Sequence, residues 1–219
     1  MNEQELRVCV TTVSMDVPRD SASKAADAER VLDFAEHFEC DLVAFPGSFQ
    51  LGTSEQEARA KVPPLIRAAR ARNMAIIFGI DWTRHAGLVA WAPGMKEAAI
   101  WDERSPSPRV LALGQRHVCI LSSYQCEDAK LRREAAATRP ELVVVCGHLT
   151  RDGRSLEAFR RLGLPVTAST NTFAPDLAPL VCPRGRRAPD ISSMQGGLMV
   201  AMYAIDDRDG PIAAVEWLH

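Results

Sequence analysis

The sequence lacks the features that mark several large classes of protein. No apolar run approaches the roughly 20 residues that a membrane-spanning helix needs. Acidic and basic residues nearly balance, at 28 against 26, so no basic surplus indicates binding to nucleic acid or to an anionic membrane surface. We therefore expect neither a nucleic-acid partner nor a membrane association.

Paired cysteines are absent as well. The six cysteines are scattered, and Cys9, Cys119 and Cys146 fall inside apolar strand-like runs, where a free cysteine packs as a small hydrophobe. No Cys-x-x-Cys pair offers a zinc site, so we expect no metal and no cofactor. Reduced thiols, together with a polar and acidic N-terminus unlike a signal peptide, indicate a cytoplasmic protein.

The chain does contain enough apolar residues for one sizeable core. Its 219 residues are 47% hydrophobic, which suits a single domain over residues 1–219. Apolar, β-branched runs alternate with segments of helical periodicity, and this order predicts an α/β fold of stacked sheets with helices on the outer faces. The predicted helices are 24–39, 65–72, 127–138 and 153–162. The predicted strands are 6–13, 41–46, 74–80, 87–92, 97–101, 110–113, 117–121, 142–146, 165–169, 180–182, 198–205 and 212–217.

One loop is the expected location of the chemistry. The apolar run Leu42 to Phe45 reads as a buried strand that Pro46 ends. In α/β chains the reactive groups lie in loops just past the carboxyl ends of strands, which here means residues 46–49. Gly47 stands where we would expect a carboxylate, and no strong acid, base or nucleophile replaces it.

Five segments, in order, carry a resemblance to a known family. They are residues 40–46 (Cys-Asp-Leu-Val-Ala-Phe-Pro), 71–79 (ending Ile-Ile-Phe-Gly), 117–124 (ending Leu-Ser-Ser-Tyr), 165–171 (ending Ser-Thr-Asn) and 197–206 (Gly-Leu through Ile-Asp). Together these segments span nearly the whole chain and resemble the nitrilase or carbon–nitrogen hydrolase superfamily. The resemblance implies a four-layer αββα sandwich that assembles as a homodimer or a higher homo-oligomer.

The resemblance implies a catalytic triad that this sequence does not keep. The family uses a Glu as general base, a Lys that stabilises the tetrahedral intermediate and a Cys that attacks an amide or nitrile carbon. Here the Glu position is Gly47, the Lys position falls at Asp102 or Glu103, and the Cys position is Ser123. Because a serine without an adjacent base is a weak nucleophile, we expect a catalytically inactive protein that binds a ligand or a partner.

An active hydrolase with a relocated nucleophile is the alternative. Cys126 lies close to Ser123 at the predicted start of a helix, where the helix N-terminus can lower the pKa of a thiol. Cys146 and His148 alternate on one strand face and could join Cys126 in a thiol–imidazole or metal site. The ordinary interpretations are core packing for Cys146 and a loop hydrogen bond for His148. In this alternative, Cys126 or Ser123 attacks a small amide or nitrile.

A ligand pocket is expected around the same loops. Its predicted lining is Phe49, Tyr124, His148 and Asn171. Gly47 vacates the volume of a glutamate side chain, which water, Phe49 or Tyr124 would have to fill, unless side chains have collapsed and no pocket remains. Since acids replace the cation of the family, we expect any ligand to be neutral or cationic rather than a carboxylate.

Overall fold

The computed structural model of the chain describes residues 5–83, 85–147, 154–172 and 180–206. Six helices lie within these residues. They are α1 (Ser21–His37), α2 (Glu55–Ala60), α3 (Val62–Ala71), α4 (Ser123–Glu127), α5 (Ala129–Ala137) and α6 (Arg154–Arg161). None of the helices in the described residues is long and apolar enough to cross a membrane.

Fourteen strands complete the described secondary structure. They are β1 (Leu6–Ser14), β2 (Leu42–Ala44), β3 (Gln50–Gly52), β4 (Ala75–Trp82), β5 (His85–Trp91), β6 (Ala99–Asp102), β7 (Arg109–Leu113), β8 (Arg116–Ser122), β9 (Leu142–Gly147), β10 (Val166–Thr172), β11 (Leu180–Cys182), β12 (Gly185–Arg187), β13 (Ile191–Gln195) and β14 (Leu198–Ile205).

The strands form one curled sheet with two halves. The first half runs β6-β5-β4-β2-β1, with β14 and β13 beyond β1, and the second half runs β10-β9-β8-β7. The halves join where the ends of β1 and β10 pair in parallel, with Thr12 opposite Thr170. The parallel order β4-β2-β1-β10-β9-β8 brings the carboxyl ends of six strands to one edge of the molecule.

Three buried clusters define four layers. The inner cluster lies between the two halves of the sheet and includes Val8, Leu88 and Ile120. A second cluster packs the first half against α1 and α3, and a third packs the other half against α4, α5 and α6. The predicted αββα sandwich is confirmed, because each sheet half buries one face against the other half and one face against helices.

Capping explains where the structure departs from the predicted helices. The predicted helix 127–138 is split into α4 and α5, because Asp128 leaves helical geometry and its carboxylate accepts hydrogen bonds from the first amides of α5. Helix α1 begins earlier than predicted because Asp20 caps it at the Ser23 amide. The short strands β3, β12 and β13 were not predicted, and the predicted strand 212–217 lies outside the described residues.

Candidate functional site

The predicted loops meet at the carboxyl ends of the strands. The Asn171 side chain at the end of β10 donates through Nδ2 to the carbonyl of Gly47, which follows β2. The Ser122 hydroxyl at the end of β8 donates to the carbonyl of Glu103, which follows β6. Gly147, the last residue of β9, lies against both Gly47 and Ser123. The structure therefore places Gly47, Glu103, Ser123 and Asn171 at the same edge of the molecule.

Backbone fills the space that a glutamate would need. A Cβ atom on Gly47 would lie 2.7 Å from the Cα of Gly147, which is closer than real Cβ contacts. A Cβ on Gly79 would overlap Gly47, and one on Gly147 would overlap the side chain of Ser123. Gly147 also has a φ of +155°, which L side chains rarely adopt. These contacts form what we call the glycine stack, Gly79–Gly47–Gly147, which ends on Ser123.

The two aromatic side chains expected to fill this space lie elsewhere. Phe49 is buried and stacks on Phe45, with ring centroids 4.4 Å apart, in the cluster under α1 and α3. Tyr124 is 53% exposed, and the guanidinium of Arg104 lies 4.9 Å from its ring centroid. The expectation that Phe49 or Tyr124 replaces the missing glutamate is therefore wrong, because the glycine stack occupies that volume.

Ser123, the predicted nucleophile position, has no base beside it among the described residues. Ser123 begins α4, and its hydroxyl oxygen is buried without a hydrogen-bond partner among the described residues. The neighbouring Ser122 caps α4 in a capping box with Gln125, so its hydroxyl accepts from the backbone of the helix. A hydroxyl that donates to no base keeps its ordinary weak nucleophilicity.

Two carboxylates face the same edge of the site. Asp81 pairs with Ala86 across β4 and β5, and the amide of Glu103 donates to the carbonyl of Ala86 at 3.0 Å. Residues opposite one another on neighbouring strands share a face, so both carboxylates flank the small Ala86 on the inward face. The Ser48 hydroxyl donates to Asp81. Burial, and then the charge of Asp81, raises the pKa of Glu103 above its usual value.

Two cations partly offset these acids. The Lys24 ammonium donates to the Ser48 carbonyl at 3.5 Å, and burial, followed by repulsion from Lys61, lowers the pKa of Lys24. Arg104 lies over Tyr124 beside Glu103. Glu103, at the predicted lysine position, is itself acidic, so the edge of the site carries charges of both signs.

Cys126, one of the two alternative nucleophiles, is a buried thiol. Cys126 lies in the last turn of the short α4 rather than at the start of a helix, and it is fully buried. Burial raises the pKa of Cys126 to about 12, and it does the same for Cys146. The expected lowering of the Cys126 pKa by a helix N-terminus is therefore wrong. Thiols with such pKa values hold almost no thiolate near neutral pH.

The predicted metal alternative finds no ligand set in the described part of the chain. Among residues 5–83, 85–147, 154–172 and 180–206, no group of three or more His, Cys, Asp or Glu side chains is placed to hold an ion. His148 lies outside the described residues.

Sequence reasoning missed four residues of this site. Asp81 follows an apolar run directly, which is the usual position of a polar functional residue at the end of a strand. Ser48 has a φ of +54°, and its hydroxyl donates to Asp81. No local sequence pattern predicts this backbone conformation. Gly79 lies inside an apolar run and Gly147 ends one, but nothing in the sequence indicates that both lie against Gly47.

Comparison with known proteins finds similar structures but no similar sequence. No family model and no curated protein matches the sequence. An amidase from Nesterenkonia sp. AN1, a nitrilase-superfamily enzyme solved as a cysteine-to-alanine mutant with butyramide, superposes with a TM-score of 0.72 at 18% identity, over 93% of each chain. A second structure of the cysteine-to-alanine mutant gives a TM-score of 0.68 at 18% identity, over 95% of this chain and 94% of that one. The amidase from Nesterenkonia sp. gives 0.69 at 18% identity, over 94% and 93%. This chain therefore has the fold of the nitrilase-superfamily amidases.

Proposed function

We propose that this protein is a nitrilase-fold pseudoenzyme, which has lost family-type carbon–nitrogen hydrolysis and acts by binding a small ligand or a protein partner. One observation carries this proposal. The Cβ position of Gly47 is blocked by the Cα of Gly147, so no glutamate side chain fits between Gly47 and Ser123.

The proposal follows from what amide hydrolysis requires. The nucleophile must lose a proton to a nearby base, and the negative charge of the tetrahedral intermediate must be stabilised. Ser123 has no hydrogen-bonded base among the described residues, and an acid, Glu103, takes the place of the stabilising cation. Both requirements fail at the same place, which favours loss of the reaction over a change of substrate.

The alternative, an active amidase-like hydrolase, depends on Cys126 or Ser123 as nucleophile. Cys126 is a poor candidate for the nucleophile because it is buried and its pKa is raised. Ser123 is a poor candidate as well, because an amide carbon must approach its hydroxyl and the Ser123 side chain lies against Gly147. Activity through either residue is therefore the outcome that would overturn the proposal.

A ligand at the edge of the site would be small and neutral or cationic. Asp81 and Glu103 flank the site, and Lys24 and Arg104 offset their charge without creating a cationic pocket. A primary amide or an alkylammonium fits this surface better than a carboxylate, because an added anion would face two acids.

The proposal also covers the oligomeric state of the protein and its cellular location. We propose a homodimer or higher homo-oligomer, as the resemblance implies, and light scattering coupled to size-exclusion chromatography measures it directly. We also propose a cytoplasmic location. All six cysteines are buried thiols, a state that a reducing compartment preserves.

The decisive experiment is a hydrolysis assay on purified protein with a panel of small amides and nitriles. We expect no turnover above background for the wild type. Turnover that disappears in Ser123→Ala or Cys126→Ala would establish the alternative and identify its nucleophile. Background turnover that both variants retain would be attributable to contamination.

A thermal-shift comparison tests the ligand class. We expect acetamide or ethylammonium, but not acetate, to raise the melting temperature, because a ligand that binds only the folded state stabilises it. The Asp81→Asn variant should lose this shift, and Glu97→Gln, at an exposed acid elsewhere, should keep it. Stabilisation by acetate alone would contradict the charge argument, and no shift with any compound would leave partner binding as the function.

A further inference from the structure

The strand β13 leaves one edge of the sheet open. It pairs with β14 along Ile191–Gln195, and no other strand in the described residues pairs with it. Its five residues include no charged residue and no proline, and all but Ile191 are exposed. Met194, at 68%, is the most exposed of the large apolar side chains in the described part of the chain. An edge of this kind presents backbone amides and carbonyls to another strand.

The other edge strands of the described sheet differ from β13. Three of them carry charge, since β6 ends in Asp102, β7 begins with Arg109, and β12 contains Arg186 and Arg187. The fourth, β3, is uncharged but only three residues long. Charge and short length are the usual means by which native sheets prevent pairing at an edge. The contrast indicates that the edge of β13 is one that pairs.

The hairpin that ends β13 is held in place by its neighbours. Gly196 and Gly197, with φ of +56° and +73°, form the two-residue turn between β13 and β14. The guanidinium of Arg19 donates to the Gly196 carbonyl at 2.7 Å, and the Ser14 amide donates to the Gly197 carbonyl at 2.7 Å. A strand that is already ordered loses less conformational entropy when it binds a partner.

The two ends of β13 differ in charge. Arg19 and Arg30 contact its carboxyl-terminal end and the turn, and they share one acid, Asp27. Asp190, just before the strand, is paired with Arg187. A second β13 in parallel orientation would therefore place two cationic ends together, whereas an antiparallel one separates them.

We propose that β13 pairs antiparallel with β13 of a second copy of the chain, about a two-fold axis at Ser193. Ser193 then faces its own copy, and Ser192 faces Met194 of the second copy, which covers part of the exposed Met194 side chain. An interface of this symmetry brings a surface against itself, and an uncharged strand meets itself without like-charge repulsion. The inference rests on the proposed self-association and names one of its interfaces. It does not depend on whether Ser123 is inactive.

The first test is light scattering coupled to size-exclusion chromatography. We expect a wild-type mass of at least twice the 24.0 kDa of one chain. Met194→Lys puts like charges at the paired edge and should reduce that mass by half. Val110→Lys, at an exposed position of the edge strand β7, is the matched control and should keep the wild-type mass. Circular dichroism checks that both variants fold.

The second test is a disulfide between the two copies, which reports on the register. Opposite residues on antiparallel strands have Cα atoms about 4.5–5.5 Å apart, which suits a disulfide. Ser193→Cys should therefore give a covalent dimer on oxidation. Ser192→Cys is the matched control, because its own copy lies diagonally, roughly 7–8 Å away, and it should give little.

The outcomes separate this interface from self-association in general. An oligomer whose mass Met194→Lys leaves unchanged would keep the proposed self-association and overturn the pairing of β13. Cross-linking that is absent in Ser193→Cys, or equal in Ser193→Cys and Ser192→Cys, would also overturn the pairing about Ser193. A monomeric wild type would overturn both proposals and leave the edge to a strand from a different protein.

Discussion

Gly47 and Gly147 approach so closely that a Cβ atom on Gly47 would lie 2.7 Å from the Cα of Gly147. The two residues are a hundred positions apart in the sequence and belong to opposite halves of the curled sheet. Their contact closes the space above Ser123. The position predicted for the glutamate of the triad therefore has no room for a side chain.

Replacing Gly47 with alanine should destabilise the fold. The new methyl group would meet backbone, which cannot move aside as a flexible side chain can, and we expect a loss of about 1–3 kcal/mol in the free energy of unfolding. Urea unfolding measures the loss. Ala99→Ser, at an exposed position of β6, provides a control that should change stability little. A Gly47→Ala protein as stable as the wild type would show that the glycine stack is looser than described.

Rebuilding the triad should not restore hydrolysis. We expect the combined variant Gly47→Glu, Glu103→Lys, Ser123→Cys to be inactive or unfolded, because the glutamate has no volume in which to sit. The double variant Glu103→Lys, Ser123→Cys keeps Gly47 and controls for the effect of the other two changes on folding. Amide hydrolysis by a folded triple variant would mean that the two halves of the sheet can separate at this edge.

The buried thiols should make the protein less stable in alkali. Burial raises the pKa of Cys40, Cys119, Cys126 and Cys146 to about 12, against 9.0 for an exposed thiol. Above pH 9.0 the unfolded chain loses protons that the folded chain retains, so this stability is present below pH 9.0 and is lost as the pH rises towards about 12. Urea unfolding on either side of pH 9.0 measures the slope. Cys126→Ala should reduce the slope, and an unchanged slope would count against burial as its cause.

The same burial should keep iodoacetamide from labelling any cysteine rapidly near neutral pH. All six thiols should react slowly in the folded protein and readily in denaturant, since the thiolate is the reactive form. Mass spectrometry of the labelled peptides identifies each site. One cysteine that reacts far faster than the others would support the alternative of an active hydrolase with a relocated nucleophile.

Glu103 should make the free energy of unfolding depend on pH in the acidic range. Its folded-state pKa is raised above 4.5 by burial and by Asp81, so the folded protein holds a proton that the unfolded chain has already released. Stability from this group is present below pH 4.5 and declines as the pH rises through the raised value. Glu103→Gln should flatten the profile there, and Glu97→Gln, at an exposed acid, should not. Identical profiles for the two variants would contradict the described burial of Glu103.

The predicted triad positions and the four layers came from the resemblance alone. The sequence by itself determined the order of helices and strands and the stacking of sheets with helices on the outer faces. These depend on local periodicity and on apolar runs, which remain visible without coordinates, and helix α1 and strands β1, β4, β9 and β14 were all predicted on that basis. The split between α4 and α5 escaped prediction because one capping side chain, Asp128, decides it.

Only the tertiary structure decided what fills the site. The sequence shows that Gly47 is not a glutamate, but Phe49 and Tyr124 were equally plausible replacements until the fold placed one under α1 and exposed the other. The closing contacts join Gly79 inside β4, Gly47 in the loop after β2 and Gly147 at the end of β9. Contacts between residues distant in sequence depend on how the two sheet halves approach, and no local pattern encodes that distance.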